Sequence, residues 1–314
     1  MEVYYLNKTG EKIILKTDLQ DLPRNRCIWI RLLNPGEDNI NKISKFSGIP
    51  PEEFTEFIEE EERSRVDYKG YLQIIYQTPV TQREEVTTDS LSMFVQNNII
   101  VTTERENVPV LDSISRLLRI HKLKFLLRGG PGKFVNQVLD RTNEEFLKAI
   151  EKISRVVRMS KTEDIEVQQK MLVQLYNSNV TLTHFNQAIV ANLEIINNLR
   201  KNRYKHFTDN DRDEFTELYY DVLQLLDTEK IQREIITSQF NFQTVWSSFK
   251  LNSFMKKLTS LALIIMVPTF IASVYGMNVN LPFGRHSQGF WLVGLFMLLI
   301  TLGIYMWFKR IDWV

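Results

Sequence analysis

A single cysteine, Cys27, stands in 314 residues. It has no partner for an intramolecular disulfide, so nothing in the chain demands an oxidising compartment. Net charge is equally scarce, because 39 Lys and Arg against 38 Asp and Glu leave only +1. That balance argues against the basic surface of a nucleic-acid binder. Glycine and proline, 12 and 9 residues, are too few for a collagen-like or low-complexity chain. The four histidines, His121, His184, His206 and His286, are scattered, and no Cys or His stands at metal-ligand spacing. No Ser/His/Asp or Cys/His arrangement can be picked out, so no enzyme is read here. Met1 to Thr17 is charged and strand-like, and it is not read as a signal peptide.

A mean hydropathy of −0.20 completes the profile of a soluble protein. The average hides where the charges sit. No Asp, Glu, Lys or Arg occurs from Leu258 to Gly284, and none from His286 to Phe308. Two windows, about 258–277 and 290–308, each fit a bilayer span of about 20 residues. Lys256 and Lys257 precede the first, and Lys309 and Arg310 follow the second. Basic flanks stay on the cytoplasmic side, which places both termini inside and leaves Val279 to Gly289 as a short external loop. The expected location is the plasma (inner) membrane, with residues 1–250 as a cytoplasmic domain and 251–314 as a transmembrane domain.

Residues 1–105 read as a mixed α/β part. Strands are expected at Val3–Leu6, Lys12–Lys16, Cys27–Leu33, Tyr71–Gln77, Leu91–Val95 and Ile99–Thr103, where β-branched and aromatic residues concentrate. Asn97-Asn98 suits a tight turn between the last two. Helices are expected at Asp38–Phe46 and Pro51–Arg63. Residues 106–250 read as long helices and a stalk. Gly129-Gly130-Pro131-Gly132 interrupts them, and Pro131 suits a helix start. Helices follow at about Lys133–Arg158, Asp164–Lys201, and from Asp211 through the first span to Met277. The last would run for roughly 100 Å, too long for the interior of a globular domain. It implies an extended helix that packs against copies of itself.

Two apparent motifs fail. Gly132-Lys133 suggests a phosphate-binding loop, but Leu127 and Phe134 stand where Gly and Ser/Thr are required. Asp209, Asp211 and Asp213 suggest a calcium loop, but Glu214 and Tyr220 stand where Gly and Glu are required. Acids favoured by a helix dipole explain the run better. The run Glu59–Glu62 reads as a solvated helix face.

The first span carries a more informative pattern. Asn252, Met255, Thr259, Ala262, Met266, Thr269 and Ser273 recur alternately three and four residues apart, a heptad seam on one helix face. The seam continues upstream through Ser238, Asn241, Val245 and Ser248. A coiled-coil zipper would place Leu, Ile or Val there, whereas these residues are mostly small, polar or Met. Small residues in a membrane helix also serve close packing. The extension of the seam upstream of the span favours helices around a water-filled axis.

The helix ends in Tyr275-Gly276-Met277-Asn278, directly after the first of two C-terminal spans. Gly-Met-Asn at that place, with a basic C-terminus, strongly resembles the CorA family of divalent-cation channels. Close resemblance covers about Asn252 to Trp313, and the element order matches over the rest. The resemblance implies an α+β cytoplasmic domain, a long stalk helix and two C-terminal transmembrane helices in a funnel-shaped homopentamer. Gly276, Met277 and Asn278 would form the selectivity filter. Met255, Leu258 and Met266 would form an apolar constriction, with Thr259 and Thr269 as polar rings between them. The implied activity is passive transport of hydrated Mg²⁺, and of Co²⁺ or Ni²⁺, with no organic cofactor. Mg²⁺ would also be the regulatory ion, bound between cytoplasmic domains, with Asp213, Glu214, Glu217 and Asp221 as possible ligands. Many family members carry Met-Pro-Glu-Leu in the external loop. This chain keeps Pro282 but has no acid before the second span. A zinc transporter of the ZntB type, possibly proton-coupled, is therefore the alternative, and a membrane-anchored sensor or scaffold is a second. The expected partners are copies of the chain and the lipid bilayer, with no nucleic acid.

Overall fold

The computed structural model describes residues 1–59, 63–82, 85–158, 165–279, 282 and 288–313. It divides into two compact units, Met1–Ser238 and Gln239–Val314.

The first unit is built on a seven-stranded sheet. Its strands are β1 (Glu2–Leu6), β2 (Ile13–Lys16), β3 (Ile28–Leu33), β4 (Arg65–Tyr68), β5 (Leu72–Gln82), β6 (Glu85–Gln96) and β7 (Ile99–Glu104). The order across the sheet is β2-β1-β3-β7-β6-β5-β4, and only the β3–β7 pair is parallel. That pair sits mid-sheet with both faces covered, so Ile28-Trp29-Ile30 and Ile99-Ile100-Val101 are apolar without alternation. Alternate residues enter two separate cores. Tyr4, Trp29, Ile74, Met93 and Ile100 face one core, and Val3, Ile30, Phe94 and Val101 face the other. The smaller core is closed by α1 (Glu37–Ser47) and α2 (Pro51–Glu59) through Ile40, Ile43 and Phe54. The larger is closed by α3 (Pro109–Arg119), α4 (Lys124–Arg128), α5 (Gly130–Arg158), α6 (Ile165–Lys201) and the start of α7 (Asp209–Tyr275).

Asn97, at φ +51, makes the two-residue turn between β6 and β7, as Asn97-Asn98 suggested. Several expectations are corrected. The hairpin β5–β6 is longer than either expected strand, and β4 was not expected at all. Pro79 lies inside β5 opposite Thr88, and the polar run around it hid the continuation. α5 starts at Gly130 rather than Lys133: Gly130, at φ +88, turns the chain out of α4, and Pro131 follows in the first turn. α2 ends at Glu59, and residues 60–62 of the expected helix and acidic run lie outside the described residues. Asp164, expected to open α6, also lies outside them.

In the second unit α7 continues to Tyr275, and α8 runs from Gly289 to Arg310. Both are long and apolar enough to cross a membrane, and almost none of each apolar window is buried. Of the expected external loop, residues 280–281 and 283–287, including Arg285 and His286, lie outside the described residues.

Candidate functional site

In the second unit, α7 presents two distinct faces. Ser260 is buried, and Ile264, Val267, Ile271 and Val274 are half-buried. On α8 the covered positions include Val293, Met297, Ile300, Ile304 and Phe308. These two stripes are the less exposed sides of the two helices. The seam lies elsewhere. Asn252, Met255, Thr259, Ala262, Met266, Thr269 and Ser273 are all exposed, as is Leu258. At about 100° per residue, the seam and the covered stripe lie roughly 140° apart around α7. The seam is thus left open by this subunit's own packing.

Polar groups on the seam are held locally. Thr269 donates through Oγ1 to the Ile265 carbonyl at 2.7 Å. Its hydroxyl oxygen keeps a lone pair for the exposed side. Pro268 interrupts the N–H ladder of α7 without ending the helix.

The end of α7 tightens before it stops. Gly276 N–H donates to Ala272 O at 3.0 Å and Ser273 O at 3.2 Å, and Met277 N–H donates to Val274 O at 3.2 Å. Gly276, Met277 and Asn278 are all exposed. Among the described residues, no hydrogen bond reaches their carbonyls or the Asn278 amide. A run of oxygen acceptors is therefore free at the end of the helix. A Cβ on Gly276 would make only ordinary contacts, at 3.4 Å and 3.5 Å, with two carbonyls of its own last turn. Nothing within one described subunit requires glycine there.

The opposite end of the pair is clasped. After α8, Trp313 N–H donates to Phe308 O at 3.0 Å while Asp312 takes φ +55, a Schellman-type stop. The Trp313 ring stacks on Phe308 at 5.7 Å, and Lys256 Nζ lies 6.0 Å from its centroid. Ser260 Oγ reaches the Trp313 carbonyl at 3.3 Å. Phe290 and Trp291 at one end of α8, and Tyr305 and Trp307 at the other, are exposed aromatics suited to the two interfaces of a bilayer.

The acids on α7 in the first unit are not gathered into one site. Asp213, Glu217 and Asp221 lie along one exposed face at spacings of four. Glu214 points elsewhere, forming an ion pair with Lys133 Nζ at 2.5 Å. Among the described residues, no group of three or more His, Cys, Asp or Glu is placed to hold a metal ion. Asp221 borders a cleft of about 240 Å³ with Asp140 and Glu144. Burial pushes the Asp140 carboxyl up, and the charges of Glu144 and Asp221 add to this. Sequence reasoning missed Asp140 and Glu144, because only the packing of α5 on α7 brings them to Asp221.

The acids at the start of α7 cap helices, as the dipole reading expected. Thr208 N–H donates to Asp211 Oδ2 at 2.7 Å and Asp211 N–H returns to Thr208 Oγ1 at 3.2 Å, a reciprocal capping box. The same Asp211 carboxylate lies against Gly132 at the start of α5, where any Cβ would overlap it. The Gly132-Lys133 pair thus serves helix packing and the ion pair with Glu214.

Comparison with known proteins agrees with this architecture. The family model described as "CorA-like Mg2+ transporter protein" matches residues 24–310. The chain is 28% identical to the cobalt/magnesium transport protein CorA of Methanocaldococcus jannaschii, over 99% of each chain. The complete structure of that magnesium transporter superposes with a TM-score of 0.83 at 26% identity, covering 100% of this chain and 98% of that one. The cobalt/magnesium transport protein CorA of Thermotoga maritima is 22% identical, over 88% of this chain and 80% of that one. The ZntB cytoplasmic domain from Vibrio parahaemolyticus shares the fold alone, with a TM-score of 0.58 at 11% identity over 78% of this chain and 97% of that one. With its α+β soluble part, its two apolar C-terminal helices and a family match over most of its length, the chain belongs to the CorA-like Mg2+ transporter family.

Proposed function

We propose that this protein is a homopentameric channel for hydrated Mg²⁺, with the seam of α7 around a central pore and α8 toward lipid. One observation carries the reading. The free acceptors of Gly276, Met277 and Asn278 terminate the same helix whose polar seam is left exposed within the subunit. Mg²⁺ gives up its water reluctantly, so a filter that binds its waters needs such oxygens rather than a cage of carboxylates. A ring of five subunits also gives Gly276 a reason to lack a side chain, since close approach of neighbouring loops leaves no room for one.

Upstream of the first span, Phe242, Phe249, Leu251 and Phe254 are exposed beside the charged pair Lys256-Lys257. Apolar surface flanked by charge there calls for protein neighbours rather than lipid, which supports self-association. Met255, Leu258 and Met266 are the candidates for an apolar constriction that closes by dewetting, with Thr259 and Thr269 as polar rings. The basic flanks support a cytoplasmic location for both termini, and an inside-negative potential of 100 mV would then favour entry of a divalent cation by about 4–5 kcal/mol. Regulation by cytoplasmic Mg²⁺ belongs to the same reading. Asp213, Glu217 and Asp221 face outward, so a neighbouring subunit would have to complete such a site.

The test is Mg²⁺ influx into liposomes holding the purified protein, driven by an inside-negative potential. The wild-type chain admits Mg²⁺, and Asn278→Ala removes the preference for Mg²⁺. Absence of divalent flux in the wild-type protein overturns the reading. The acid-free loop favours one second reading, Zn²⁺ transport. Zn²⁺ influx that follows an imposed pH gradient, without Mg²⁺ influx, would decide for it.

A further inference from the structure

A second charged feature lies in the first unit, and the ion pathway makes no use of it. The loop from Asn7 to Lys12 that joins β1 to β2 is tied to itself. The Asn7 side chain accepts from Glu11 N–H at 2.9 Å, Lys12 N–H at 3.0 Å and Thr9 Oγ1 at 3.1 Å. Gly10 completes the turn at φ +74. Two arginines then grip the loop's backbone. Arg26 donates to the carbonyls of Leu6 at 3.2 Å, Asn7, and Lys8 at 3.0 Å. Arg128 donates through Nη2 to the Gly10 carbonyl at 3.0 Å.

Between these residues lies a cleft of about 380 Å³, within the range of small-molecule sites. Lys8, Arg26 and Arg128 bring three positive charges to it, and Asn25, Asn98 and Thr9 add neutral polar groups. No Asp or Glu among the described residues lines it. Among the described residues, no carboxylate pairs with any of the three cations. The guanidiniums are thus fixed by neutral carbonyls, which leave their charge unneutralised and further N–H groups free. Three cations around one polar cleft, without a counter-charge, suit a compact anion of high charge. Planar guanidinium forks match phosphate oxygens. No aromatic side chain among the described residues lines the cleft to stack on a nucleobase.

We propose that this cleft is a binding site for a small polyphosphate anion, pyrophosphate or the phosphate chain of a nucleotide, held by Lys8, Arg26 and Arg128.

The experiment is calorimetric titration of the full-length protein in detergent, without divalent cations, using orthophosphate, pyrophosphate, ATP and citrate. Pyrophosphate is expected to bind saturably, at one per subunit, and more tightly than orthophosphate or citrate. ATP at the affinity of pyrophosphate assigns recognition to the phosphate chain, whereas weaker ATP binding assigns it to the free anion. Arg128→Ala should weaken pyrophosphate binding roughly tenfold or more, the effect of losing a charge-assisted contact. Lys8→Glu, whose parent side chain bonds nothing among the described residues, should abolish it and keeps the test valid if Arg128→Ala does not fold. Lys122→Ala, outside the cleft, should leave it unchanged. The proposal is overturned if pyrophosphate does not saturate, if citrate binds more tightly, or if Lys8→Glu loses no more affinity than Lys122→Ala. No outcome depends on transport, so failure here leaves the channel reading standing.

Discussion

Buried polar side chains in the first unit give the sharpest predictions for single residues. Arg31, inside β3, and Glu104, the last residue of the parallel strand β7, are both buried. Arg31 Nη2 reaches Glu104 Oε2 at 3.1 Å and Asn107 Oδ1 at 2.7 Å, and Glu104 Oε2 also accepts from Val108 N–H at 2.7 Å. Among the described residues, removing Glu104 leaves the buried guanidinium with only the half-exposed Asp112 carboxylate at 3.6 Å and the Asn107 amide, and removing Arg31 leaves Glu104 with no cation. Glu104→Ala should cost about 3–5 kcal/mol, and the paired change Arg31→Met with Glu104→Leu much less. Chemical denaturation of both variants measures the difference. Equal losses would mean that the charge is not what matters. Asp140 behaves in the opposite sense. Its carboxyl is held above the ordinary value of 3.8 by burial, then by Glu144 and Asp221. Between 3.8 and the raised value the folded chain binds more protons than the unfolded one. Stability therefore falls as pH rises through that window, and the deficit persists at neutral pH. Asp140→Asn should raise the neutral-pH melting temperature and flatten its pH dependence over that window. A lower melting temperature would show that ionised Asp140 is stabilising.

Whole elements differ in how far the sequence discloses them. β1, β3 and β7 were visible because β-branched and aromatic residues dominate them, with single charges at Glu2, Arg31 and Glu104. β4 was not, since Arg65-Val66-Asp67-Tyr68 is an edge strand with one aliphatic residue and little burial. The far half of β5 was obscured by Pro79 and its polar neighbours, although hairpin pairing with β6 carries it to Gln82. Both apolar helices were legible from missing charge alone, and so was the seam, because a helix repeats its geometry in its sequence. Tertiary relations such as Glu214 with Lys133, or Asp140 beside Asp221, follow from helix packing and leave no spacing to read. The clasp after α8 belongs with these, since nothing in Trp313 itself points back to Ser260. It gives a prediction for the element as a unit. Trp313→Ala removes the ring stacked on Phe308 and should loosen the end of α8, giving faster tryptic cleavage after Lys309 and Arg310. Unchanged cleavage would mean that the backbone turn alone holds it.

The proposed assembly would give the open faces of the second unit a purpose. In one subunit Leu258 and Leu299 are comparably exposed, at 50% and 57%. Water, lipid and a neighbouring subunit would each treat them alike on composition, so only the symmetry of the proposed pentamer separates them. Five copies around the seam would bring Leu258 toward the axis, while Leu299 on α8 would face hydrocarbon. A polar group at each site then has opposite consequences. Leu258→Asn would hydrate a constriction that closes by excluding water, so basal Mg²⁺ influx should rise. A barrier lowered by about 1.4 kcal/mol, less than the worth of one buried leucine, already gives a tenfold faster flux. Leu299→Asn would place an amide in lipid, so it should lower the yield or stability of the assembly without raising flux per folded channel. Both are measured in the same liposomes, with flux normalised to reconstituted pentamer. A rise with Leu299→Asn and none with Leu258→Asn would exchange the roles of the two helices and overturn the assignment of α7 to the pore.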